Sequence, residues 1–254
     1  KDYEKINVDI NSEEYKSIKL LNPLGEDLSV MRTTLVPSLL KIVSTNLNKK
    51  NNQGRIFEFA KEYKPKALPL TELPNENLSV SLCCYGDNED FFTLKGVIEE
   101  FLEVMKATFK VDFRKCELPF MHPTKSANIF FGNKIIGFIG EVHPNVLENF
   151  GIDKKIYIAE IYYSQISSMF NKKLLFKPFG KYPTVERDLA LVMDKNITNG
   201  ETIRLIKKLS DKSLINVELF DVYEGGQLDS GKNISSPDLW EKSHQYSNEY
   251  FLLS

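Results

Sequence analysis

The sequence predicts an α+β fold in two domains: an antiparallel sheet with helices over residues 1–168, then a smaller strand–helix–strand domain over residues 169–254. Three observations predict it. Runs with strand periodicity, such as Arg55–Tyr63 and Leu78–Tyr85, sit among amphipathic helical runs such as Leu39–Leu47 and Leu94–Met105. Two apolar strands flank Gly132-Asn133, a pair suited to a two-residue hairpin turn. From Pro178 onward both the pattern and the charge balance change.

Composition bounds the class. The chain has 254 residues, 42% hydrophobic and 27% charged, an ordinary globular composition long enough for one large or two smaller domains. A net charge of −2 excludes a uniformly basic nucleic-acid binder. No apolar run approaches the roughly 20 residues of a membrane span. The chain starts at Lys1 with no signal-peptide pattern, and is expected to be an internal or C-terminal part of a longer protein. Cys83, Cys84 and Cys116 are odd in number and show no CxxC spacing, so buried free thiols in a reducing compartment are expected over a disulfide or metal site.

The elements follow in order. Ile6, Val8 and Ile10 alternate as a short strand. Asn22-Pro23 punctuates the chain before Leu28–Met31 and Arg32. Thr33 or Thr34 is placed to cap a helix, with Pro37 in its first turn where a missing N–H is harmless. Leu39, Leu40, Val43 and Leu47 form its apolar stripe, which suits either the core or a subunit interface. The polar run Asn46–Gly54 reads as a helix stop at glycine. Arg55–Tyr63 is a strand with Phe57, Phe59 and Tyr63 at period two. Leu78–Tyr85, a run apolar but for Ser79 and Ser81, predicts a strand covered on both faces. Phe91–Met105 is a helix in which Gly96 suggests close approach of another backbone. Phe109–Arg114, the Ile129–Gly140 hairpin, a short helix after His143-Pro144 and a strand over Tyr157–Tyr163 complete the first domain. In the second, a strand over Tyr182–Val192, a helix over Thr198–Leu209 and a strand over Leu214–Tyr223 open a ferredoxin-like fold.

Several of these stretches carry a resemblance. Asn22-Pro23-Leu24, Glu26 through Thr33, Leu39-Leu40 and Phe57-Glu58, in that order, resemble the bacterial phenylalanyl-tRNA synthetase beta subunit family, in its C-terminal half, where a domain looks like a class II synthetase catalytic core. Two further blocks agree: Phe91–Leu102 (FFTLKGVIEEFL), and His122–Ala127 followed by the hairpin and Gly140–Pro144 (GEVHP). Tyr182–Val192 and Leu219–Gly225 resemble the family's C-terminal ferredoxin-like anticodon-binding module. The resemblance covers Leu20–Lys232, and the module reads as atypical or truncated after residue 232.

The resemblance implies a non-catalytic role. A class II ligase stabilises charge on the α-phosphate of ATP with arginines and magnesium. In family terms one arginine belongs on the Arg55–Tyr63 strand and another in a Gly-rich strand–helix motif near the end of the domain. This sequence offers Glu58, Lys61 and Glu62 around Phe57 and Phe59 at the first position. At the second it offers Tyr157–Ser164 without arginine or glycine, and there is no arginine between Arg114 and Arg187. The expectation is a catalytically inactive core, with no catalytic residue, no metal ligand and no cofactor in this part of the protein. ATP and magnesium would belong to the holoenzyme. The implied partners are a catalytic alpha subunit in a heterotetramer and phenylalanine tRNA, in the cytoplasm and with no membrane. A self-sufficient class II-like ligase and a free-standing tRNA-binding paralogue are the alternatives.

Other chemistry is thin. His122 and His143 each precede proline, fitting turns that bond locally to backbone better than metal ligation, which would need further ligands. There is no GxSxG elbow, GxGxxG or P-loop. Charge is uneven: residues 1–171 hold 21 basic and 23 acidic residues, residues 172–212 hold 10 and 5, and residues 213–254 hold 2 and 7. The basic segment opens the second domain, where Lys177, Lys181, Tyr182, Arg187 and Lys195 are candidates for tRNA contact, against a plain solvated basic surface.

Overall fold

The structure, a computed structural model, describes residues 2–105, 111–167, 184–211, 213–223 and 232–242. The chain divides into two compact units, Lys1–Lys173 and Leu174–Ser254.

The first unit is built on an antiparallel six-stranded sheet in the order β1-β2-β6-β5-β4-β3. Its strands are β1 (Gly54–Lys64), β2 (Asn75–Tyr85), β3 (Val111–Lys115), β4 (Met121–Phe131), β5 (Lys134–Val142) and β6 (Ile156–Ile161). The helices are α1 (Asp2–Lys5), α2 (Val36–Asn48), α3 (Phe91–Val104), α4 (Pro144–Asn149) and α5 (Tyr163–Ile166). A sheet covered on both faces needs two apolar layers. On one face Leu39, Leu40 and Val43 of α2 pack with Tyr85, Phe138 and Ile158. On the other, Leu94, Ile98 and Leu102 of α3 pack with Ile139, Ala159 and Ile161. β2 contributes Cys83 to the first layer and Cys84 to the second, as a strand covered on both faces requires.

Local chemistry explains most boundaries. The Asp90 carboxylate accepts from the Thr93 N–H (2.6 Å) and caps α3. Gly132, at φ +63°, opens the two-residue turn between β4 and β5. Gly137 is required for close approach, because a Cβ there would stand 2.2 Å from the Glu160 carbonyl oxygen.

Three sequence expectations are corrected. Ile6 and Val8 are buried, yet no strand forms, since α1 ends in a turn at Asn7 (φ 59°) that aims Tyr3, Ile6 and Val8 at one core. Helix α2 stops at Lys50 (φ 64°), and Gly54 begins β1 instead. Gly96 faces open space, with nothing within 4 Å of an added Cβ.

The second unit holds β7 (Thr184–Asp188), β8 (Leu191–Asp194), α6 (Asn199–Leu209), β9 (Leu214–Tyr223) and β10 (Lys232–Lys242). Its connectivity and sheet are those of an α+β ferredoxin-like unit. The expected Tyr182–Val192 strand is broken at Leu189-Ala190 into β7 and β8, and both halves pair with β10. β10, which also pairs with β9, is therefore central and extends ten residues past the point where the resemblance ended. Its Pro237 argued against a central strand. The structure accommodates it with a register shift between Ser236 and Pro237 against β9, while the Pro237 carbonyl accepts the Leu189 N–H at the β7–β8 break. Thr198 and Glu201 form a capping box at the start of α6. Glu249–Leu253, which the sequence offers as a short edge strand, lies outside the described residues. No described helix is long and apolar enough to cross a membrane.

Candidate functional site

The inward face of β1 is acidic and its outward face aromatic. Ser81 of β2 pairs with both Glu58 of β1 and Glu160 of β6, so these three side chains form one row across the sheet. Glu62 lies further along β1 on the same face, with Ser79 in the row between. Glu62, Glu160 and Ser79 are almost wholly buried. Phe57 and Phe59 project from the other face, 75% and 52% exposed, with Phe59 edge-on to Tyr163 at 5.2 Å.

The segment Arg32–Leu35 lies over the acidic row. Arg32 donates through Nη1 to Glu58 and through Nε to the Lys61 carbonyl (3.0 Å), and its own carbonyl accepts the Tyr63 N–H (2.8 Å). The Thr33 N–H donates to the Tyr3 hydroxyl (2.6 Å). The sequence expects Thr33 or Thr34 to cap α2; the Thr34 hydroxyl does accept the Val36 N–H (3.4 Å), but the N-cap itself is Leu35, which offers no side-chain acceptor. Glu160 supplies it from another strand: its Oε2 accepts the Leu35 N–H (2.9 Å) and the Thr34 hydroxyl (3.1 Å). Burial, and then the neighbouring Glu62, push the Glu160 carboxyl well above its usual range despite these donors. Burial also raises the Tyr15 and Tyr162 hydroxyls, so both stay neutral.

Three carboxyl groups, Glu58, Glu62 and Glu160, lie on one face of the sheet beneath the Arg32–Leu35 segment. The arginines of the first unit are each held by a carboxylate: Arg32 by Glu58, Arg55 by Glu89 and Arg114 by Asp112. The three cysteines are free and buried, and burial raises all three thiols, Cys84 to about 12, leaving them poor nucleophiles at neutral pH. His122 and His143 bond locally: each Nδ1 accepts the backbone N–H two residues on, from Thr124 and Asn145, both at 3.2 Å.

The interface candidates sit elsewhere than a partner surface requires. Leu39, Leu40 and Val43 have no exposed area and Leu47 packs against the same core, so the α2 stripe belongs to the interior. Apolar groups reach the surface at several places, among them Phe57 and Phe59 on β1, Leu21 and Leu24 in the loop before α2, Leu73 between β1 and β2, and Phe92 on α3. Of the tRNA candidates, Lys177, Lys181 and Tyr182 lie outside the described residues. Arg187 and Lys195 are exposed but not neighbours. Arg187 pairs with Leu239, and Lys195 follows Asp194, which pairs with Lys232. Seven residues of β10 separate those partners, roughly 23 Å. Sequence reading missed Glu160 as a cap. The available signal was an acid in the middle of a fully apolar strand, where a charge needs a partner.

Comparison with known proteins agrees with this architecture. Residues 1–163 match the family model described as phenylalanyl tRNA synthetase beta chain CLM domain. Residues 180–244 match the ferredoxin-fold anticodon binding domain, a match that runs past residue 232. A phenylalanine–tRNA ligase beta subunit of Clostridium tetani is 35% identical over 233 residues, covering 91% of this chain and 29% of that protein. The one from Clostridium acetobutylicum is 37% identical over 231 residues, with the same two coverages of 91% and 29%. The chain thus spans under a third of the length of these relatives. Pyrrolysyl-tRNA synthetase from Desulfitobacterium hafniense shares the fold, with a TM-score of 0.51 at 14% identity over 66% of this chain and 58% of that one. The chain belongs to the phenylalanyl-tRNA synthetase beta chain family.

Proposed function

We propose that this chain is a non-catalytic part of a phenylalanine–tRNA ligase beta subunit. Its first unit supports a catalytic alpha subunit within a heterotetramer, and its second binds phenylalanine tRNA while the assembly carries out ATP-dependent aminoacylation in the cytoplasm. The observation that carries the non-catalytic part is the acidic row Glu58, Glu62 and Glu160, on a sheet whose arginines are held by carboxylates. Developing negative charge on a phosphate would meet carboxyl groups there and gain nothing. ATP and magnesium belong to the holoenzyme, with neither held by this part of it.

Support for a partner comes from Phe57 and Phe59, two neighbouring outward positions of β1 that are 75% and 52% exposed. Support for tRNA comes from the anticodon-binding family match and from Arg187, Lys195, Arg204, Lys207 and Lys208 on the exposed surface of the second unit. Lys177, Lys181 and Tyr182 remain part of the same proposal.

Size-exclusion chromatography of the chain mixed with a bacterial phenylalanyl-tRNA synthetase alpha subunit tests the scaffold. Co-elution as one complex is the expected result. Separate elution of two folded proteins at micromolar concentration would overturn it.

A further inference from the structure

Two carboxyl groups that are both buried and adjacent cannot both keep a charge without strong compensation. Glu62 and Glu160 are each 1% exposed, and their carboxyls are within hydrogen-bonding reach of one another. They come from β1 and β6, strands that do not pair directly but flank β2.

Their surroundings supply little positive charge. Glu160 Oε2 is occupied by the Leu35 N–H and the Thr34 hydroxyl, at 2.9 and 3.1 Å. The cation beside the pair is Lys64, whose Nζ stands 3.7 Å from Glu62 Oε2 and also lies over the Tyr162 ring. Arg32 is committed to Glu58 and to the Lys61 carbonyl. From the N-terminal segment Tyr15 lies near Glu160, and just after β6 Tyr162 lies near both carboxyls; the exposed Glu14 sits beside the two tyrosines, which stay neutral. Glu62 Oε1 is buried with no hydrogen-bond donor among the described residues, while Glu160 makes both of its bonds to α2 through Oε2.

We propose that Glu62 and Glu160 share a single proton, and that this proton fastens the start of α2 to β1 and β6. A proton between the two carboxyls gives Glu62 Oε1 the donor it otherwise lacks. It leaves Glu160 Oε2 free to accept from the helix, so one residual negative charge faces the positive end of α2. Loss of the pair's proton places a second charge in the same dry space and loosens α2 from the sheet.

The direction with pH follows. The Glu160 carboxyl lies above its ordinary value of 4.5 in the folded chain. The folded state therefore binds more protons than the unfolded state above that pH. Stability contributed by the shared proton is complete below about pH 4.5 and is lost as pH rises through the raised value.

The test follows urea unfolding of the whole chain by hydrogen exchange in α2 peptides, between about pH 5 and about pH 9. Glu62→Gln replaces the shared proton with a permanent amide donor. The unfolding constant of the unaltered chain, divided by that of Glu62→Gln, is expected to rise with pH by up to about tenfold per unit, the limit for one proton. A ratio independent of pH overturns the proposal. Infrared spectroscopy of the unaltered chain provides a reading that needs no variant to fold. A protonated-carboxyl stretch near neutral pH is expected. Its absence overturns the proposal, as does its persistence in a folded Glu62→Gln chain.

Discussion

The two faces of β1 differ more than its sequence suggests. On the outward face Phe57 and Phe59 stand largely in solvent, while on the inward face Glu58 and Glu62 lie under the Arg32–Leu35 segment. The usual ordering, apolar in and charged out, is reversed along one strand. The inward acids are tolerable because each has a local answer: Arg32 for Glu58, and the Glu160 carboxyl with Lys64 for Glu62. On the outward face Phe59 meets the edge of Tyr163, yet both phenylalanines remain more than half exposed. Reversal of this kind separates what holds the fold from what a partner would cover.

The inward side can be broken most severely at Gly137, on β5. An added Cβ would collide with the Glu160 carbonyl at 2.2 Å and would also crowd the Ile161 Cα. Gly137→Ala is expected to destabilise the chain by about 3 kcal/mol, seen as a lower urea midpoint. A loss under about 0.5 kcal/mol would mean that β5 and β6 can separate freely at the acidic row.

The outward side is sharpened by Phe57→Ser. The residue is mostly exposed, so the urea midpoint of the chain alone should shift by no more than about 0.5 kcal/mol. Affinity for the alpha subunit, measured by titration calorimetry, should fall at least about tenfold, or about 1.4 kcal/mol. Unchanged affinity would remove this face from the contact. The smallest effect belongs to Gly96, which is exposed within α3 and touches nothing. Gly96→Ala is expected to raise stability by up to about 1 kcal/mol in the same urea experiment.

What the sequence revealed followed from local chemistry. The strand over Arg55–Tyr63, the Asn133-containing hairpin turn and the apolar face of α3 depend on neighbours in the chain, and the structure has all three. The rest depends on distant partners. Ile6 and Val8 alternate like a strand because a turn at Asn7 sends both inward, and alternation alone does not distinguish the two cases. The Leu39–Leu47 stripe has the pattern of both a core and an interface, and only the sheet beneath it decides. β10 carries a proline and few apolar residues. Its central place rests on a break in the facing strand that no local rule anticipates. Glu160 caps a helix 125 residues away in sequence, which leaves no local trace beyond an acid among apolar neighbours.

The most direct measurement is phenylalanine-dependent ATP–pyrophosphate exchange by the chain alone and by the chain with an alpha subunit. The expected result is no exchange by the chain alone, and exchange above that of alpha by itself once the two are combined. Exchange by the chain alone, following it through every purification step, would contradict the account and make the acidic sheet face a working active site.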